Sequence, residues 1–136
     1  MFELERTMLP VIANRKNGKL DNLAEEILRE RAVVLSRAGF AVSDILDSTT
    51  RLEKEIEKKL HLLKTLNGTD IDKLSQGENA ICAEINVLIE KFNAACEKAQ
   101  LKYYYLIVTR EAMGLYKHEY VQEIYQIPQK KKKVQL

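Results

Sequence analysis

The sequence predicts an all-α protein, a long antiparallel helical hairpin of coiled-coil type that pairs into a dimeric four-helix bundle. Only five Gly and two Pro interrupt the 136 residues, which favours long helices over a turn-rich β fold. Apolar residues recur every seven positions in two long stretches, with one short interruption between them. With 46% hydrophobic and 31% charged residues, the composition is that of one folded, water-soluble domain.

The first part of the chain predicts an N-terminal arm followed by one long helix. Residues 1–19 lack an apolar period, contain Pro10 and end in turn-like residues, so they form the arm, with at most one short helix. Residues 20–66 form helix 1, because two apolar columns run through them without a change of phase. Gly39 and Ser48-Thr49-Thr50 are weak helix formers and leave a break in this helix as an alternative.

The second part predicts a second long helix, from residue 75 to 113. Ser75 and Glu78 form a capping box at its start, and Gly114 followed by Leu115 is typical of a Schellman ending. The predicted domain is completed by a short helix.

That short helix covers residues 116–126 and ends before Pro128. The single helical domain therefore covers residues 1–128. Residues 129–136 include four consecutive lysines, Lys130 to Lys133, and predict a basic disordered tail. This tail is expected to be a solvated segment, and the alternative is an electrostatic contact with nucleic acid or an anionic surface.

The loop between the long helices is short, so they pack antiparallel, with facing residue numbers summing to about 141. The apolar stripe on each helix spans three heptad positions, which is too wide for one partner. Its cover comes either from a second copy, making a homodimer, or from the arm and the short helix. On the second helix the flanking column consists of Cys82, Ile89, Cys96 and Tyr103.

Charged residues interrupt the predicted hydrophobic seam at one height on both helices. The register places Arg31 level with Arg110, and buried cations need carboxylate partners. Such a cluster serves either as an ion-pair network that fixes helix register or as a site for an anionic ligand. The candidate ligand-binding residues are Glu30, Arg31, Lys102, Arg110 and Glu111.

Two blocks of residues resemble a small family of bacterial all-helical proteins of unknown function. The resemblance implies a bacterial cytoplasmic protein with no known activity. It covers about forty residues in all and none between 47 and 100. The blocks are Glu30-Arg-Ala32 with Ser36-Arg-Ala-Gly39, and Arg110-Glu-Ala-Met-Gly-Leu115 with His118-Glu119 and Tyr125-Gln-Ile-Pro128.

Nothing in the sequence predicts an enzyme, a cofactor or a metal site. There is no Gly-rich phosphate loop or nucleophile elbow, and the single conceivable acid–base cluster is His118 with Glu119 and Tyr116. His61 and Cys82 fall near each other in the register, but zinc needs four ligands. No catalytic or metal-binding residue is therefore predicted.

Nucleic acid is not an expected partner, because acidic and basic residues alternate along both helices and the net charge is only +2. Tyr103-Tyr104-Tyr105 are expected to be core and interface aromatics with polar tips at the surface. Two cysteines too far apart on one helix to pair fit a reducing cytoplasm. The start lacks a signal-peptide pattern, and no apolar stretch is long enough to span a membrane.

The predicted function is therefore that of a structural or protein-interaction protein without catalytic activity. One alternative is a module that binds a small anion or a peptide at the Arg31/Arg110 zone. A second alternative is a cytoplasmic chaperone of the secretion type, which would bind an amphipathic partner helix.

Overall fold

The computed structural model describes the backbone of residues 2–66 and 71–135, and the side-chain surroundings of residues 18–66 and 77–135. Three helices follow one another: α1 (Phe2–Leu66), α2 (Ile71–Ala112) and α3 (Glu119–Ile124). The described residues contain no strand, and the predicted all-α class is confirmed. The chain divides into two units, Met1–Arg37 and Ala38–Leu136.

The first unit carries the N-terminal part of α1, which begins at Phe2 and not at residue 20. The predicted arm, residues 1–19, is thus helical from residue 2 onward. A seven-residue apolar period arises where one face of a helix is buried against a partner. A helix without such a buried face needs no apolar period. Within this unit the side chains of residues 18–34 are exposed, including Leu20, Leu28 and Val33.

The weak helix formers of α1 are accommodated without ending the helix, which continues to Leu66. Thr49 and Thr50 both donate their side-chain hydroxyls to the carbonyl oxygen of Leu46, at 2.7 and 3.0 Å. Ser48 donates in the same way to the carbonyl of Asp44 at 3.2 Å. These bonds satisfy the hydroxyls within the helix, so the buried Thr49 occupies its core position with no unpaired polar atom.

In the second unit, α1 and α2 pack against each other around one apolar cluster. Its buried members are Ile56, Ile85, Ile89, Phe92 and Cys96. Lys59 of α1 forms an ion pair with Glu84 of α2, and this pairing is within two residues of the predicted residue-number sum of about 141. The contact therefore agrees with the predicted antiparallel packing of the two helices.

The end of α2 is the Schellman motif that the sequence predicts. Gly114 has a φ of +83°, a left-handed conformation that glycine adopts without strain. Its N–H donates to the carbonyl of Glu111 at 3.0 Å, and the N–H of Leu115 donates to the carbonyl of Arg110 at 2.9 Å. The short helix that follows, α3, covers fewer residues than the predicted 116–126.

Residues 125–135, which we call the C-terminal segment, follow α3 without regular secondary structure. The backbone of Lys131 and Val134 is nevertheless hydrogen-bonded to side chains of α2, so the described part of the predicted disordered tail, residues 129–135, is held against this helix instead. Val134 packs against the apolar cluster. The wide stripe of α2 thus receives cover from within the chain, and its flanking residues Cys82, Ile89 and Cys96 are buried.

Gly39 marks a close approach between α1 and the C-terminal segment. A methyl group at this buried position would lie 2.6 Å from the side-chain oxygen of Tyr125, and 3.6 Å from the ring carbon that carries it. The first distance forces a displacement, whereas the second is an ordinary contact. Gly39 therefore leaves room for the hydroxyl of Tyr125.

We expect Gly39→Ala to destabilise the protein by about 1 kcal/mol, because displacing Tyr125 outweighs the gain in helix propensity. In a Tyr125→Phe background, where the hydroxyl is absent, the same change should stabilise by roughly 0.5 to 1 kcal/mol. Urea unfolding of the four chains measures both effects. Equal effects of Gly39→Ala in the two backgrounds would contradict this contact.

Candidate peptide-binding groove

Two asparagines on α2 hold the backbone of the C-terminal segment. Asn93 accepts a hydrogen bond from the N–H of Lys131 at 2.8 Å and donates one to the carbonyl of Lys131 at 2.9 Å. Asn86 accepts from the N–H of Val134 at 2.8 Å and donates to the carbonyl of Val134 at 3.2 Å. Each side-chain amide thus satisfies both backbone groups of one residue, as a neighbouring β-strand would.

The spacing of these contacts matches the dimensions of the two chains. Asn86 and Asn93 are seven residues apart, which in an α-helix corresponds to a rise of about 10.5 Å. Lys131 and Val134 are three residues apart, which in an extended or polyproline-II chain corresponds to about 9 to 10 Å. Two heptad-spaced asparagines can therefore hold a straight segment that runs antiparallel to the helix.

Acidic side chains repeat with the same period beside the asparagines. Glu90 and Glu97 are also seven residues apart, and they form ion pairs with Lys133 and Lys130, which are three residues apart. The Lys133–Glu90 pair has a nitrogen–oxygen distance of 2.6 Å. Each heptad of α2 thus presents one asparagine and one glutamate to three residues of the segment.

The other helix supplies a third carboxylate. Lys131 reaches Glu53 of α1 at 3.3 Å, and its ammonium lies 5.2 Å from the centre of the Phe92 ring, within the range of a cation–π contact. The groove is therefore formed by both helices: α2 holds the peptide backbone, and Glu53 with Phe92 receives one lysine side chain. We define the groove by Glu53, Asn86, Glu90, Asn93 and Glu97.

Glu90 and Cys96 both have shifted pKa values, and lysines of the C-terminal segment act on each of them. The hydrogen bond and charge of Lys133 lower the pKa of Glu90 below its ordinary value. Since this pKa is lowered, the pair stabilises the seated segment fully above the ordinary carboxyl pKa. This stabilisation is lost as the pH falls through the lowered value. Burial, and then the charge of Glu53, raise the pKa of the Cys96 thiol, while Lys130 and Lys131 oppose that rise.

The residues predicted to form the polar zone fall in both units. Glu30 and Arg31 belong to the first unit, and both side chains are exposed. In the second unit, Lys102 is half-buried, with its ammonium 5.8 Å from the centre of the Tyr105 ring. Arg110 and Glu111 are brought together by a shared partner, the imidazole of His118.

His118 closes the turn after α2. Arg110 donates from Nε to His118 Nδ1 at 3.3 Å and from Nη2 to the carbonyl of Lys117 at 2.8 Å. His118 Nε2 lies 3.1 Å from a carboxylate oxygen of Glu111. This network joins the end of α2 to the turn that follows it and engages the guanidinium of Arg110.

The part of the chain described by the structure contains no group of three or more His, Cys, Asp or Glu residues arranged to hold a metal ion. Cys82 and Cys96 are buried and carry free thiols, as the spacing of the two residues predicts. None of the described helices combines the length and the apolar character required to cross a membrane.

Sequence reasoning did not find the groove, although its signal is present. The signal is a heptad repeat of Asn and Glu beside the apolar columns, together with lysines spaced three residues apart in the tail. A run of lysines has the same composition whether it is solvated or seated on carboxylates, so composition alone predicts disorder. The pairing is evident only when the rise of seven helical residues is compared with that of three extended residues.

Comparison with known proteins gave no relative: no family model, curated protein or solved structure matches this chain.

The thiol of Cys96 should report whether the C-terminal segment is seated. We expect Asn86→Ala with Asn93→Ala to speed the reaction of Cys96 with a thiol reagent about tenfold or more, because four backbone hydrogen bonds of the segment are lost. Peptide-resolved mass spectrometry measures the rate at Cys96 separately from that at Cys82. Asn79→Ala is the matched control, since Asn79 is exposed on the same helix one heptad earlier. Equal rates in all three chains would contradict the contact.

Proposed function

We propose that this protein is a non-catalytic interaction protein, a helical hairpin whose groove along α2 binds an extended, lysine-bearing segment. The observation that carries the proposal is the pair of asparagines, each of which satisfies both backbone groups of one seated residue. Recognition of the backbone gives binding that tolerates different side chains, while flanking carboxylates select for basic ones.

In this chain the groove is occupied intramolecularly by the C-terminal segment. A tethered segment competes at an effective concentration in the millimolar range, so a partner segment must bind more tightly or in greater amount. The ion pairs involve exposed or half-buried side chains, for example at Lys133 and Glu90. Such exposed pairs stabilise the seated segment only weakly and are screened by salt, which favours exchange of the segment.

Self-association is a second part of the proposal, and it rests on a different surface. An apolar column lies on the face of α2 opposite the buried cluster, and all its members are exposed. It consists of Ala80, Val87, Ala94, Leu101 and Val108. Beside it, Tyr104 and Tyr105 are exposed, with ring centres 6.2 Å apart. An exposed apolar residue in every heptad, together with the two tyrosines, is the observation that supports a homodimer, arranged as a four-helix bundle.

The compartment that we propose is the bacterial cytoplasm, as the sequence resemblance implies. Two buried free cysteines support a reducing compartment. The anion-binding and chaperone alternatives receive less support. Arg110 is engaged by His118 and the carbonyl of Lys117, and the groove holds an extended segment and not a helix.

Peptide binding in trans tests the proposal. In a full-length chain whose residues 130–134 are replaced by alternating Gly and Ser, the groove loses its occupant. We expect this chain to bind a fluorescent peptide of residues 129–136, measured by anisotropy, while the unaltered chain binds about tenfold more weakly or not at all. Asn93→Ala in the replaced chain should weaken binding, and Asn79→Ala should not. A folded replaced chain that fails to bind the peptide would sink the proposal.

The apolar column is tested by light scattering. We expect Leu101→Glu with Val108→Glu to shift a dimer to a monomer near 15.7 kDa, because two charges would be buried in the pairing surface. Glu substitutions at Lys54 and Lys58, exposed positions on the face of α1 opposite Ile56, are the control and should leave the molar mass unchanged. A monomer before any substitution would refute self-association while leaving the groove proposal intact.

A further inference from the structure

The contacts of the C-terminal segment differ from residue to residue, and this difference defines what the groove can select. Lys130 and Lys133 occupy equivalent positions, because each forms an ion pair with one of two heptad-spaced glutamates. The residue after each of them, Lys131 or Val134, has its N–H and carbonyl bound by an asparagine. The segment is thus recognised as a repeat of three residues.

The two asparagine-bound positions differ in their side chains. Val134 is half-buried and packs against the apolar cluster, so an aliphatic side chain suits this position. The ammonium of Lys131 pairs with Glu53 and lies over the ring of Phe92, so a long cationic side chain suits position 131. Lys132, between the two repeats, is exposed.

The direction of the segment is fixed as well. Its residue numbers rise as those of α2 fall, since Lys131 pairs with Asn93 and Val134 with Asn86. A reversed peptide would bring its aliphatic residue to the Glu97 end of the groove, where Lys130 now lies. The groove is consequently selective for order as well as for charge.

We propose that the partner is a protein segment with the pattern Lys-Lys-x-Lys-aliphatic, bound extended and antiparallel to α2, and that residues 130–134 are an internal copy of it that occupies the groove until displaced. The inference rests on the proposed function, because it names the ligand class of the same groove. The two asparagine-bound positions cannot be proline, since each must donate its backbone N–H.

A panel of peptides tests the pattern on the full-length chain with residues 130–134 replaced by alternating Gly and Ser. Relative to the peptide of residues 129–136, we expect Lys132→Ala to bind within about twofold, because Lys132 is exposed. Lys133→Ala removes the same charge but should bind about threefold to fivefold more weakly, since the ion pair with Glu90 is lost. The reversed peptide, which has the same composition and charge, should bind at least about tenfold more weakly.

A charge exchange identifies the pair directly. Glu90→Lys in the replaced chain should weaken binding of the parent peptide, and the Lys133→Glu peptide should restore it. Glu84→Lys should not restore binding of the Lys133→Glu peptide, because Glu84 pairs with Lys59 instead. Circular dichroism of each chain confirms that the helices persist.

The outcomes separate the two proposals. If no peptide binds, the interaction function itself fails. If the parent, reversed and Lys133→Ala peptides all bind equally, the groove binds basic peptides without the pattern, and the inference alone is overturned.

Discussion

The structure depends on one constraint: the buried face of α2 is wider than a single neighbouring helix can cover. Three columns of apolar side chains, roughly a third of the helix circumference, are removed from water. On one side α1 packs against them, through residues such as Ile56. On the other side the cover is an extended segment, whose backbone polar groups must then be satisfied without a sheet. Asn86 and Asn93 meet that need, and the position of the segment follows from theirs.

Much of the hairpin could be predicted from the sequence, because residues buried between packed helices are apolar and recur with a helical period. The antiparallel register followed from loop length and matches the pairing of Lys59 with Glu84. The Schellman ending at Gly114 followed from local residue preferences. The sequence does not predict a helix over all of residues 2–19, because this part of α1 has no apolar period.

The candidate site shows the opposite case. The sequence predicts that Arg110 and Glu111 belong to a polar zone within the hydrophobic seam. In the structure both residues contact His118 at the end of α2. The groove, by contrast, is formed by two side-chain amides and three carboxylates at the edge of an apolar stripe. Such residues are common on the exposed faces of helices. Their meaning depends on a segment that lies 38 residues further along the chain at Lys131 and 48 at Val134. No local pattern encodes such a pairing.

The sequence separation of these contacts has a consequence for the order of folding. Helical turns form within microseconds from local contacts, whereas the pairing of Lys131 with Glu53 spans 78 residues. During synthesis, which proceeds from the N-terminus, α1 and α2 precede the segment that covers them. For that interval Cys96 and its neighbours lie at an uncovered edge. A competing segment can therefore bind the newly made hairpin before the C-terminal segment has been synthesised. Which segment occupies the groove then depends on the rates of synthesis and binding as well as on affinity.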